Sequence, residues 1–176
     1  MNSQDSTLDC PGHFVFETAW GWIGILGSAR GLSQVVLPQT SPGDITKRLP
    51  PGSLPCPHLF AGLPERLRDF FRGKSVDFSD VKLDTRQASP FARRVWEAAR
   101  LIPYSRTRTY AWVAERTGQP RAARAVGQAL GRNPLPIVVP CHRVVAGHGI
   151  GGFSSGLELK RRLLALERKG PECEIQ

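Results

Sequence analysis

The sequence predicts an α/β domain followed by a helical domain with a helix-turn-helix, and three observations carry that reading. Short apolar runs separated by turn residues fill the first part of the chain, capped helical stripes take over near Thr85 to Ser89, and the positive charge lies almost wholly after that switch. With 176 residues the chain is long enough for two small cores. The expected domains are residues 1–86 and 87–176.

In the first domain HFVFETA from His13, WIGIL from Trp22 and LSQVVL from Leu32 read as three strands. Trp20-Gly21 and Ala29-Arg30-Gly31 punctuate them as turns, giving an antiparallel meander. Pro38 to Pro57 is rich in Pro, Gly and Ser and reads as a surface connection, with a short helical piece at Asp44 to Arg48. Pro64 to Phe71 reads as a helix stopped by Gly73, and Val76 to Leu83 alternates weakly, as for a return to the sheet.

The second domain opens with Ser89 as an N-cap, Pro90 at the first helical position and an apolar stripe of Phe91, Val95, Trp96 and Ala99 that ends at Ile102-Pro103. A second helix is expected from Tyr110 to about Arg116, ended by Gly118. A third is expected from Pro120 to Leu130, stopped by Gly131. Two short helices joined by a Gly-containing turn fit a helix-turn-helix.

Residues 1–84 carry eight Lys/Arg against nine Asp/Glu, and residues 85–176 carry sixteen against six. A basic domain beside a neutral one is the footprint of a polyanion binder, nucleic acid before membrane because no basic amphipathic anchor is evident. The same charge also aids solubility. On the third helix Arg121, Arg124 and Gln128 share a face at i, i+3, i+7 spacing, among the small residues Ala122, Ala123, Ala125 and Gly127. Such a face suits close approach to a groove, and equally tight packing within the domain.

No run approaches the ~20 apolar residues needed to span a bilayer, and MNSQDSTLDC lacks the basic and apolar parts of a signal peptide. A cytoplasmic chain, nucleoid-associated or nuclear depending on the host, is the expectation. The four cysteines are scattered, which argues against a disulfide framework. Cys10, His13, Cys56 and His58 have zinc-ligand chemistry as CxxH and CxH pairs, but the spacing fits no standard finger and no metal is assigned.

Cys141 follows the apolar run Ile137-Val138-Val139, read as a buried extended segment, and Pro140 fixes the backbone where the thiol emerges. His142 comes next, and an imidazole can convert a thiol into the nucleophilic thiolate. Neighbours on an extended chain point to opposite sides, so direct contact and a water relay both remain open. A buried structural cysteine is the alternative. Glu167 lies on the helix bearing Leu159, Leu163 and Leu166, near Lys160 and Arg168, where an exposed ion pair is the simpler reading.

Together these residues carry a family resemblance. Pro140-Cys141-His142-Arg143-Val144, preceded by Asn133-Pro134 and Arg124-Ala125-Val126-Gly127, resembles the active-site signature of O6-alkylguanine-DNA alkyltransferases, also called methylated-DNA-protein-cysteine methyltransferases. Matching positions run from Pro90 to Glu167, through Val95-Trp96, Ile102 to Tyr104, Thr109-Tyr110 and Leu163 to Glu167. The first half matches poorly beyond LRDFFRGK at Leu67.

The resemblance implies an N-terminal α/β domain resembling ribonuclease H and a winged-helix-like C-terminal domain. It implies single-use, irreversible transfer of the alkyl group from O6-alkylguanine, with O4-alkylthymine as a further substrate, to Cys141 after nucleotide flipping. His142 would deprotonate the thiol through water, Glu167 would hold the imidazole tautomer, and Asn133 would act as a hinge. Arg124 would fill the gap left by the flipped nucleotide and Tyr110 would help rotate its phosphate, on a helix entering the minor groove. The carbonyls of Cys141 and Val144 would accept from the guanine amino group. The partner implied is duplex DNA, with no membrane, a monomeric protein and no cofactor.

The chain departs from the family at Phe153, where many members carry a tyrosine able to donate to the leaving O6. Phenylalanine leaves an apolar wall, with Ser154 or backbone NH groups to assist. Ser155 also replaces a common glycine. The rival reading is a non-catalytic sensor of flipped O6-alkylguanine, but such relatives lack the reactive cysteine. A thiol hydrolase built on Cys141 and His142 leaves the basic helix-turn-helix unexplained.

Overall fold

The computed structural model describes residues 11–168. Two compact units result. The first runs to Arg72 and takes in Asp80–Thr85, and the second takes in Gly73–Ser79 and the chain from Arg86 onward. Cys10 lies outside the described residues.

The first unit is a sheet in the order β3-β2-β1-β4. β1 (Gly12–Thr18), β2 (Gly21–Ser28) and β3 (Gly31–Gln39) form the expected meander, and the two-residue β4 (Leu54–Pro55) adds parallel to β1. Gly21 and Gly31, at φ +117 and +139, make the two turns that only glycine adopts readily. On one face Leu26 and Val36 pack with Ile45 and Leu49, and Val15 and Trp22 lie against them. Ile45 belongs to α1 (Pro42–Thr46), capped by Ser41, whose hydroxyl accepts from Asp44 N. Gly24 faces Ile45 with no room for a Cβ, which explains the glycine inside a strand. α2 (Leu63–Phe71) buries Leu67, Phe70 and Phe71. Residues 76–83 do not form the expected strand: Leu83 makes one isolated bridge to Leu32, and the segment before Asp80 belongs to the second unit. A weak alternation interrupted by Asp77, Ser79, Asp80 and Lys82 does not provide enough apolar surface to hold a ladder.

The second unit begins with α3 (Pro90–Arg100), where Ser89 Oγ accepts from Ala92 N as the predicted cap. Its Val95, Trp96 and Ala99 are buried, and Trp96 Nε1 donates to Ala129 O at 3.0 Å. β5 (Arg108–Thr109) leads into α4 (Tyr110–Arg116), capped by Thr109 and closed by Gly118 at φ +74. α5 (Ala123–Gly131) follows.

α5 starts three residues later than the sequence predicts. Ala122 N donates to Gln119 O, so Gln119 to Ala122 form a turn and Ala122 becomes the N-cap. Pro120 is therefore a turn residue, and Arg121 stands before the helix rather than on the face of Arg124 and Gln128. The fold closes with β6 (Val144–Val145), parallel to β5, and α6 (Leu157–Arg168). Among the described residues no helix is long and apolar enough to cross a membrane.

Candidate active site

The segment before Cys141 is buried as expected, but it is not extended. Asn133 Oδ1 accepts from Leu135 N at 3.0 Å, Val139 N donates to Leu135 O at 2.7 Å, and Pro136 bridges to Val139 across a tight turn. Ile137 sits at φ +75, a conformation that β-branched residues rarely adopt and that costs about 1–3 kcal/mol. The next turn is an inverse γ-turn: Pro140 lies at φ −79 and ψ 62, and Cys141 N donates to Val139 O at 2.8 Å. Cys141–Arg143 then form one turn of 3-10 helix, whose Val144 flows into β6. Three prolines and a β-branched run read as a strand in the sequence, whereas the Asn133 side chain stands in for backbone and closes a loop.

Asn133 also reaches the thiol. Its Nδ2 donates to Val139 O at 3.0 Å and to Cys141 Sγ at 3.2 Å. The same amide therefore fixes the loop and contacts the reactive atom.

Cys141 lines a pocket of about 460 Å³ with Tyr110, Ala123, Arg124, Gly127, Gln128, Phe153 and Ser154. α5 supplies the small wall and the exposed Arg124, α4 supplies Tyr110, and the loop before α6 supplies Phe153. Ala122, the N-cap of α5, and Ala125 on the helix are partly buried outside the lining. Tyr110 OH donates to Gly152 O at 3.2 Å, and Gly151, at φ +71, lets that loop pass so close that a Cβ would lie 2.8 Å from the Tyr110 ring.

Behind the pocket lies a buried charge network. His142 is fully buried, and its Nε2 is 2.8 Å from Glu167 Oε1. Glu167 is 2% exposed, not a surface ion-pair partner. It takes Arg143 Nε and Nη2 at 3.1 and 2.9 Å and the backbone N of Ser105 at 3.0 Å. Arg143 Nη1 donates in addition to Ile102 O at 2.8 Å. The Val144 carbonyl accepts from Lys160 Nζ at 2.6 Å, and the same ammonium donates to Gly152 O at 3.0 Å.

Burial acts to raise the Glu167 carboxyl, but His142 and Arg143 outweigh it and hold it below the usual carboxylate range. Burial pushes the His142 imidazole down against the opposing pull of Glu167, which favours the neutral ring. Burial raises the Cys141 thiol, and Asn133 and Lys160 act against that rise. Burial likewise brings Lys160 down to about 8. These directions favour a protonated thiol and a neutral imidazole, while Asn133 and Lys160 act in favour of the thiolate.

Sequence reasoning missed Arg143, Lys160 and Ser105. The signal for Arg143 was available: one arginine inside IVVPCHRVV is rarely buried without a carboxylate partner. Lys160 shares its helical stripe with Leu163, Leu164 and Glu167, which places all four on the inner face. For the zinc candidates, His13 Nδ1 is 3.0 Å from Ser53 Oγ, and Cys56 Sγ is 3.2 Å from His58 Nε2. Among the described residues no three metal-ligand side chains converge.

Residues 90–169 match the family model described as 6-O-methylguanine DNA methyltransferase, DNA binding domain. The methylated-DNA–protein-cysteine methyltransferase of Mycolicibacterium paratuberculosis is 52% identical over 114 residues, covering 64% of this chain and 68% of the relative. That of Methanosarcina acetivorans is 38% identical over 154 residues, covering 87% and 96%. The crystal structure of Mycobacterium tuberculosis OGT in complex with DNA superposes with a TM-score of 0.75 at 35% identity, over 91% of this chain and 95% of that one. The mixed α/β sheet followed by helices agrees with that neighbour's fold. The chain belongs to the methylated-DNA–protein-cysteine methyltransferase family.

Proposed function

We infer that this protein repairs alkylated DNA directly, moving the alkyl group of O6-alkylguanine, and of O4-alkylthymine as a further substrate, irreversibly onto Cys141. The observation that carries this is the Cys141 thiol at the pocket wall, hydrogen-bonded by Asn133 and flanked by exposed Arg124. The alkylated oxygen lies inside the duplex, where a thiol fixed by two successive turns cannot reach it, so the nucleotide rotates out. α5 approaches the minor groove with Ala122, Ala123, Ala125, Gly127 and Gln128, Arg124 occupies the vacated stack, and Tyr110 helps turn the phosphate. The second unit then acts as a winged-helix-like DNA-binding module beside a ribonuclease H-like α/β domain.

In the chemical step Sγ attacks the alkyl carbon, the C–S bond forms as the C–O6 bond breaks, and guanine leaves with the electron pair. The thiol proton passes through water to His142. Because Nε2 is engaged by Glu167, Nδ1 is the nitrogen that receives it, and Glu167 stabilises the imidazolium that forms. Asn133 and Lys160 stabilise the thiolate. Phe153 packs against the flipped base, and Ser154 at the pocket edge supplies a donor for the departing oxygen. Since Val144 O is held by Lys160, its capacity for the guanine amino group is limited to a second lone pair.

A duplex carrying one O6-methylguanine tests the reading. Intact-mass analysis should show one added methyl per molecule, on the peptide bearing Cys141. Unmodified protein with the lesion persisting would reduce the chain to a damage binder.

A further inference from the structure

Arg108 of β5 and Arg116 at the end of α4 lie against the same indole. Their Cζ atoms are 5.6 and 5.0 Å from the Trp112 ring centroid. Trp112 and Arg116 are i, i+4 neighbours on α4, and Arg108 reaches the same ring from the strand before the helix, so the three side chains form one row. Trp112 is two residues beyond Tyr110, about 200° around the helix, so the row faces away from the tyrosine's side of α4. None of the three residues lines the alkyl-transfer pocket.

The row is exposed positive charge without compensation. Both arginines are exposed, Trp112 is partly buried, and the Arg108 head donates only to the Thr107 carbonyl. Among the described residues neither has a carboxylate within ion-pair distance. In the first unit three arginines are paired instead: Arg66, Arg68 and Arg72 each meet an Asp or Glu. Two like charges held on one ring repel each other, and that repulsion disappears when an anion sits between them. A guanidinium held over a ring still has N–H donors to offer a phosphate, and the indole limits the rotamer freedom that binding would otherwise remove.

We propose that the Arg108–Trp112–Arg116 row is a second DNA-backbone contact, taking phosphates outside the alkyl-transfer pocket and lengthening the footprint beyond α5. The proposal rests on the reading that this chain acts on duplex DNA. The occupant is a polyphosphate backbone, because the row supplies two paired cations and its one aromatic ring is already occupied by both guanidinium groups.

The salt dependence of binding tests it, using the full chain and a duplex containing O6-methylguanine. Each phosphate contact removed should make the plot of log affinity against log salt shallower by roughly 0.9. The double variant Arg108→Gln/Arg116→Gln should therefore lose one to two units of slope, while the charge-matched Arg48→Gln/Arg72→Gln keeps the original slope. Both should react with free O6-benzylguanine at the rate of the unchanged chain, which reports folding and the thiol. An unchanged slope in the double variant, or an equal loss in the charge-matched one, overturns the proposal: the arginines then only cover the indole. Failure of the unchanged chain to methylate Cys141 from duplex DNA overturns the underlying reading instead.

Discussion

His142 and Glu167, 25 residues apart in sequence, meet at 2.8 Å with their side chains 0% and 1% exposed. Arg143 shares the same carboxylate, so Glu167 holds the imidazole and neutralises a buried cation together. Replacing it by Gln leaves Arg143 without its counter-charge, which for a buried pair costs about 3–5 kcal/mol. Glu167→Gln should lower the denaturation midpoint and slow transfer by roughly 10²–10⁴-fold, the range for a misplaced general base. Stability close to the unchanged chain, measured by urea unfolding, would contradict the network.

Asn133 presents a different balance, because one amide holds both the loop and the sulfur. Hydrogen bonds to charged groups contribute about 1.5–3 kcal/mol. Asn133→Ala should slow alkylation of Cys141 about 10–100-fold and move the alkaline midpoint of its iodoacetamide reactivity still further above 9.0. A midpoint that does not move would remove Asn133 from thiolate stabilisation.

The acid limb of the rate belongs to His142. Its folded value is depressed below 6.5 by burial, so the ring stays an acceptor at pH 6.5, and transfer to Cys141 should fall only at lower pH. The stability sign follows: below pH 6.5 the unfolded chain binds the imidazole proton more readily than the folded one, so stability falls with acid through that window. A rate profile from pH 5 to 8 with free O6-benzylguanine as substrate checks this, and a midpoint at or above 6.5 would contradict it.

Arg124 contacts the pocket rim but not the sulfur. Arg124→Ala should therefore weaken transfer from duplex DNA far more than from free O6-benzylguanine, by at least about tenfold if it fills the base stack. Equal losses on both substrates would place Arg124 in the chemistry rather than in flipping.

Gly151→Ala tests the loop over Tyr110. The residue sits at φ +71 and its Cβ would lie 2.8 Å from the ring, so either the loop or Tyr110 has to move. Both substrates should react more slowly, with a loss of stability of about 1–3 kcal/mol from backbone strain and crowding. An unchanged rate on both would show that the loop relaxes without disturbing the site.

The first domain's meander was legible because the glycines at 21 and 31 interrupt apolar runs at strand spacing. The cap of α3 was legible because Ser89 acts on a donor three residues away, whereas the Thr109 cap of α4 emerged only in the structure. The legible signals are local. The start of α5 was misplaced because Pro120 fits a turn as well as a first helical position, and only the hydrogen bond from Ala122 to Gln119 decides between them. The run Ile137 to Val139 was misread as extended because its shape is imposed by the Asn133 side chain, not by its own propensity.

By itself the sequence determined that Cys141 sits rigidly after a proline with an imidazole next to it, and that a basic helical half follows a neutral α/β half. The tertiary structure alone decided what those residues do for one another. Glu167 and Lys160 resemble ordinary surface charges along the chain, and only the apolar setting of Arg143 hints otherwise, but the fold removes all three from water. There a charge persists only if a partner meets it, so burial forces Glu167 onto Arg143 and His142, and Lys160 onto two carbonyls, behind the pocket that Cys141 lines.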